Sequence, residues 1–247
     1  MHFLILVNLC NILLGSDAIK NGDDEFVRFN YEAATSLYES ILKASPNNPE
    51  VLWRLSRVYI CMGDIQESQE QREVMYRKAV EYARLCVAAD ENNANGHAWL
   101  GASLGSVAMF EGSRSKVKLC NEIKSALDRA IVLDPNNDIA YTILGSFYRA
   151  LGNISWLERQ LASVFIGTLP PGGRLEAEKA LKKAIAIAPS VLRHHYELGM
   201  VYYDDGKKDE AKKTFEYALT LPITLTSDYH RIGRIKKKLA QLNGETK

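Results

Sequence analysis

The chain has 247 residues, 47% of them hydrophobic, which is enough for a substantial core in one domain or one continuous solenoid. Its 31 basic residues are almost matched by 30 acidic ones, so a net charge of +1 gives no reason to expect nucleic acid as a partner. Four cysteines, at 10, 61, 86 and 120, form no CxxC pair. Their spacing fits neither a disulfide framework nor a metal site, and Cys61, Cys86 and Cys120 fall in helical patterns as small buried hydrophobes. Walker, nucleophile-elbow, HExxH and dinucleotide-binding patterns are all absent, which removes the commonest routes to catalysis, and no cofactor is expected.

The chain opens on an apolar run from Phe3 to Leu14, interrupted by Asn8 and Asn11 and too short to span a bilayer comfortably. Ser16-Asp17-Ala18 supplies small residues around a candidate signal-peptidase site, so 1–18 reads as a candidate export signal or hydrophobic N-terminal segment. The n-region, Met1-His2, carries no Lys or Arg, and the competing reading is a buried first helix. Export to the periplasm or outside the cell follows from the first reading, and a cytoplasmic location from the second. No later stretch could serve as a transmembrane helix.

From there the chain repeats itself. Leu144-Gly145, Tyr148 and Gly152 recur as Leu198-Gly199, Tyr202 and Gly206, with looser copies at Leu55-Ser56 and Leu100-Gly101. Each phrase is followed by an Ala-rich stretch closed by a turn: Ser45-Pro46-Asn47-Asn48, Asp90-Glu91-Asn92-Asn93, Asp134-Pro135-Asn136-Asn137 and Ala188-Pro189-Ser190. Self-similarity of this kind signals stacked helix pairs. The expected fold is all-α: a tetratricopeptide-like right-handed α-solenoid of about five helix pairs plus a C-terminal capping helix. The units fall near 19–48, 49–93, 94–137, 138–189 and 190–223, all in one domain over 19–247, with a cap at 227–242.

In the first unit, helix A comes from Asp17–Phe29 and helix B from Tyr31 to Pro46. The later B helices run near Met75–Ala89, Asn121–Leu133, Leu175–Ala188 and Asp209–Leu221. The small residues Ser56, Gly101, Gly145 and Gly199 recur at intervals longer than the roughly 34 residues of a standard unit, so extra chain lies between helices A and B. Gln66–Tyr76 extends a helix, Gly112–Lys118 reads as a basic turn, and Ile154–Gly173 is an amphipathic insertion stopped by Pro170-Pro171-Gly172-Gly173. The cap carries Arg231, Arg234, Lys236, Lys237 and Lys238, read as a solvated outer face. His194-His195 is not a metal pair, because neighbours on a helix point about 100° apart.

Three pieces resemble the regulator of microtubule dynamics family, a group of tetratricopeptide-type proteins with lengthened units. The most specific is Ile154-Ser155-Trp156-Leu157-Glu158-Arg159-Gln160-Leu161-Ala162, continuing to Phe165 and Pro170-Pro171, with Ser155 where the family pattern has Pro. The others are Leu52-Trp53-Arg54-Leu55-Ser56-Arg57 and His97 with Trp99. The resemblance covers about residues 24–240 and implies links to microtubules and organelle contacts, with the repeat domain implicated in binding or moving phospholipid. Trp156, Arg159 and Phe165 form the insertion motif. The stretch is read as plugging the groove, the alternative being that it presents Trp156 and Phe165 to a membrane or partner.

In such a superhelix the A-helix positions three before, one after and four after the small residue line the inner groove. The groove candidates are therefore Trp53, Arg57, Ile60, Ala102, Ser146, Arg149, Tyr196, Met200 and Tyr203, with Ala98, Gly105 and Thr142 completing the row; Trp53 and Tyr196 serve equally well as packing residues. The sequence points to a non-enzymatic scaffold that holds a protein or peptide partner in this groove. The alternative is a phospholipid-binding or lipid-transfer module, whose apolar walls and isolated arginines would take acyl chain and headgroup. No metal is expected.

Overall fold

Every closing turn ending in Asn-Asn uses its second Asn as the cap of the next helix. Asn48, Asn93 and Asn137 accept backbone N–H bonds from the first turns of the helices that follow, Asn93 from Gly96 at 2.8 Å and Asn137 from Ala140 at 2.9 Å. Asp90 and Asp134 tighten the same turns by accepting from the N–H groups two residues on. The turn before residue 192 has no such residue, and Val191 makes no side-chain cap.

These caps punctuate an all-helical chain. The computed structural model describes residues 17–244, among which no strand occurs. Most of the candidate export signal, together with Cys10, lies outside the described residues, while residues 17 and 18 belong to the first helix. In chain order the helices are α1 (17–27), α2 (Tyr31–Ala44), α3 (Pro49–Asp64), α4 (Gln69–Ala89), α5 (Ala94–Val107), α6 (Ser113–Leu133), α7 (Asp138–Gly152), α8 (Trp156–Phe165), α9 (Arg174–Ile187), α10 (Leu192–Asp204), α11 (Lys208–Ala218) and α12 (Ser227–Leu242). A single 3-10 turn, Ala108–Phe110, joins α5 to α6. The A/B pairs are α3/α4, α5/α6, α7/α9 and α10/α11, with α1 meeting α2 where Tyr38 packs on Gly22 and bonds Asp23.

The three insertions take two forms. In the second and third units they lengthen helix B, so α4 and α6 each run 21 residues. The stretch read as a basic turn, Gly112–Lys118, is instead the cap and opening turns of α6. No Pro or positive-φ Gly interrupts it, and Val117 is buried, which lets the helix propagate from Ser113. In the fourth unit the insertion is a separate helix, α8.

Small residues set the spacing within pairs. A Cβ at Gly145 would lie 2.4 Å from Leu181 Cγ, and one at Gly199 would lie 2.5 Å from the Phe215 ring. Leu181 and Phe215 are fully buried, so the glycines let α9 and α11 lie directly on α7 and α10. Cys61 and Cys86 are buried, and burial pushes both thiols up to about 12, which leaves them unreactive at neutral pH. Cys120 is half-buried.

Candidate functional site

The first expected groove residues are tied to α1. Asp23 accepts from Tyr38 Oη at 2.7 Å, from Arg54 Nε at 2.9 Å and from Arg57 Nη2 at 2.9 Å, so one carboxylate fastens α1 to both α2 and α3. Burial would raise the Asp23 pKa, but the Tyr38 hydroxyl and the two guanidiniums outweigh it and hold the carboxyl below its ordinary value. Arg57 stacks over Phe26 at 3.7 Å and Arg54 over Trp53 at 4.2 Å, and the Trp53 indole donates to Glu50. Nothing in the local sequence marks Asp23 for this role, because its partners lie 15 to 34 residues away.

The expected groove residues divide by position. Those three before the small residue, Trp53, Ala98, Thr142 and Tyr196, are all buried, so they pack one unit on the next. Those after it stay partly open: Arg57, Ile60, Ala102, Gly105, Ser146, Arg149 and Tyr203; Met200 is buried. The open row is lined by small side chains at its centre, Ala102, Gly105 and Ser146. Its two cations are already matched, Arg57 by Asp23 and Arg149 by Asp204 at 2.7 Å and Glu197 at 3.7 Å.

Thr142 belongs to a buried seam between α7 and α10. His194 has no exposed surface, and its Nε2 lies 2.9 Å from Asp138 Oδ2 and its Nδ1 2.7 Å from Thr142 Oγ1. Burial holds the His194 pKa below 6.5, with the charged Arg193 adding to that, although the hydrogen bond to Asp138 opposes it. The neutral ring therefore donates from Nε2 to Asp138 and accepts at Nδ1. The Thr142 hydroxyl, also 2.9 Å from the Asp138 carbonyl oxygen, has one proton to serve both. The two adjacent histidines do not act as a pair, since His195 turns instead to the Pro189 carbonyl.

The C-terminal helix does more than cap the stack. Ile235 is fully buried against α10 and α11, Lys238 lies 3.9 Å over the Tyr203 ring, and Gln241 accepts from the Tyr203 hydroxyl. Tyr203 is an expected groove position, and α12 covers it on α10. Its leading segment crosses to the first unit. Tyr31 Oη and Thr226 Oγ1 are 3.0 Å apart although 195 positions separate them, and Leu225 joins the core around Phe26 and Val51. Asp228 locks this segment, accepting from the N–H groups of Thr224 and Leu225 and from Arg231 Nη1 at 2.7 Å. Arg231 is thereby turned inward, while Lys236 and Lys237 keep the solvated placement read for the whole basic set. Near this junction Arg193 keeps Nε and Nη2 buried without a hydrogen-bond partner.

The insertion motif is where sequence and structure disagree. None of α8 is buried, with Trp156 74% and Phe165 70% exposed, so it does not plug the groove. Arg159 decides the orientation. Its guanidinium donates to the carbonyls of Pro170 and Leu151, which fastens the polar edge of α8 to the body and leaves the apolar face outside. Ser155, the departure from the family pattern, is the N-cap of a capping box with Glu158.

A further concavity of about 400 Å³ lies between α4, α5 and α6. Val80, Leu104, Val107 and Leu119 line it, and the ion pairs Arg77–Glu111 and Arg84–Glu122 flank it. Among the described residues no cluster of side chains suits a metal ion, and no helix is long and apolar enough to cross a membrane.

A family model described as regulator of microtubule dynamics protein 1-3 matches residues 16–243. The chain is similar to regulator of microtubule dynamics protein 2 of Rattus norvegicus, 28% identical over 195 residues that cover 78% of this chain and 47% of that protein. Against protein 3 of Xenopus laevis the identity is 26% over 229 residues, covering 92% of this chain and 49% of the relative. The chain thus spans about half the length of the curated relatives it matches. Among solved structures it is similar to a thermophilic TPR protein of Thermus thermophilus, with a TM-score of 0.68 and 22% identity over 91% of this chain and 98% of that one. This likeness bears on the fold alone, a tetratricopeptide-like α-solenoid.

Proposed function

Because the chain belongs to the regulator of microtubule dynamics family and folds as a helical-repeat scaffold, we propose that it is a non-enzymatic protein that holds a peptide or protein segment against the open row of its concave face. The carrying observation is α12. This chain's own amphipathic helix docks on that face at Tyr203, so the surface has the shape and chemistry to accept a helix. The row continuing from there, through Arg149 and Ser146 to Ala102, Ile60 and Arg57, offers a groove of small side chains with polar edges. A phospholipid in the same groove is the second reading, supported by its apolar walls. It is disfavoured because Arg57 and Arg149, the cations that would meet a phosphate, are already paired with Asp23 and Asp204. The microtubule link in the relatives' names belongs to proteins about twice this length and adds here only the expectation of a protein partner.

Site-directed photocrosslinking tests the reading. A photoreactive side chain at Ala102 or Ser146 is expected to capture a discrete protein that the same group at Glu216, exposed on α11, does not. Equal capture at all three positions overturns the concave-face assignment. Native mass spectrometry of the purified chain separates the second reading, because a stoichiometric phospholipid mass would replace the peptide proposal with the lipid one.

A further inference from the structure

We propose that α8 is an interfacial helix that seats this domain on an anionic lipid surface, an assignment independent of the concave-face reading. A helix on a globular protein ordinarily turns its apolar stripe inward. Here the stripe is reversed. At about 100° per residue, Leu157, Leu161, Val164 and Phe165 fall within one arc of the helix, and Arg159 and Ala162 fall on the far side. Arg159 and Ala162 are the two residues of α8 that are not exposed, and they hold the helix to the body. The four apolar side chains therefore point straight out, 59%, 49%, 72% and 70% exposed, while Trp156, 74% exposed in the first turn, lies about 80° from Val164 at the edge of that arc. An apolar ridge on the outermost face of a protein suits a surface into which it can sink.

Charge selects the kind of surface. The loop after α8 lies on the start of α6, where Asn121 Nδ2 donates to the Thr168 carbonyl at 3.2 Å and the backbone at Gly167 meets Val117. Arg114, Lys116 and Lys118 all lie in the opening turns of α6, within three residues of Val117 at that contact. All three cations are exposed, and none of them forms an ion pair among the described residues. The neighbouring acids are committed elsewhere: Glu111 to Arg77, Glu122 to Arg84 and Glu158 to the Ser155 cap. Apolar side chains, a tryptophan and unpaired cations at one site match the acyl boundary and the phosphates of an anionic leaflet. A second copy of this chain fits worse, because packing α8 on α8 would bring two sets of these cations together with no acid free to separate them.

The test uses the full chain and vesicles of phosphatidylcholine with or without phosphatidylserine, doped with nitroxide-labelled lipid. Trp53 and Trp99 are buried, so lipid quenching of tryptophan emission reports on Trp156. Quenching is expected with phosphatidylserine vesicles, to be lost on Trp156→Phe, and to weaken as salt is raised. Leu161→Glu with Phe165→Glu, both on the exposed face, should abolish vesicle binding at α8 while leaving the helical circular dichroism unchanged. Arg114→Glu with Lys116→Glu should weaken it about tenfold or more. Absence of quenching overturns the proposal even if the chain sediments with vesicles through another segment. Absence of quenching together with concentration-dependent dimerisation that Leu161→Glu removes would give the face to a second copy instead. Equal quenching with and without phosphatidylserine overturns the anionic assignment.

Discussion

Two amphipathic helices are added to the repeats, and they resolve their apolar faces in opposite ways. α12 folds back over α10 and α11 and buries Ile235 completely, whereas α8 stands on the outside with its leucines, valine and phenylalanine in solvent. Amphipathicity is strong in both sequences. What differs is the polar tether. Asp228 bonds the backbone at the start of α12 so that its apolar side meets α10 and α11, and Arg159 bonds the polar edge of α8 so that its apolar side cannot. A hydrophobic stripe states that a face wants cover, and the tether decides whether the same chain provides it.

The comparison breaks most visibly on truncation of one apolar residue from each helix. Ile235→Ala should cost about 2–5 kcal/mol of global stability, the range for emptying a buried aliphatic site. Leu161→Ala should change stability by no more than about 0.5 kcal/mol, as at other exposed positions. Urea unfolding of the two variants checks both, and equal losses would mean that α8 is packed after all.

Removing the tether of α8 tests the second half of the argument. Arg159→Met keeps the bulk of the side chain but deletes both carbonyl contacts, a loss of about 1.5–3 kcal/mol per charged hydrogen bond and local to the insertion. Hydrogen exchange should accelerate over residues 156–169 while the exchange of α10 and α12 stays as it was. Acceleration across the whole chain would show that α8 is part of the cooperative core.

Much of this molecule was legible in its sequence. The glycines at 145 and 199 announced close helix pairs and face Leu181 and Phe215 as required, and the Pro-Asn-Asn turns located the boundaries. The capping box at Ser155 and Glu158 follows a Ser-x-x-Glu pattern that was not read as a helix start. The concave site was legible only in part. Periodicity fixes which residues share a face, but the burial of Trp53, Thr142 and Tyr196 depends on how closely one unit stacks on the next. Asp23 with Arg57, and Tyr31 with Thr226, are contacts between distant segments that no local pattern encodes. The orientation of α8 depends on one guanidinium reaching two carbonyls, which helical spacing cannot show.

Acid should separate the repeat body from α8 by a third route. The His194 pKa is held below 6.5, so below that value the unfolded chain binds a proton that the folded chain resists. Stability is therefore complete above pH 6.5 and falls as pH drops through the folded value. Asp138, held below its ordinary pKa against the desolvation that would raise it, adds to the loss at lower pH because the unfolded carboxyl is protonated first. Thermal unfolding between pH 7 and 5 should show a falling midpoint, and His194→Gln should flatten that slope. The emission of Trp156, outside this seam, should not change before the midpoint is reached.

A smaller expected loss addresses the closure that sets α12 apart. The Tyr31 hydroxyl contacts the Thr226 hydroxyl and accepts from the Thr226 N–H, and burial raises its pKa to about 12, so it stays a neutral phenol throughout the working range. Tyr31→Phe preserves the ring packing on Phe26 and deletes only these polar contacts, a loss of about 0.5–1.5 kcal/mol. If the C-terminal segment is a fixed strut between the ends of the repeat, the variant should lose that amount globally. If the segment opens independently, exchange should rise over residues 224–230 alone and the unfolding midpoint should hold. The first result makes α12 a structural member of the scaffold. The second makes it a helix that can leave the concave face, and the groove beneath Tyr203 would then be available to a partner in turn.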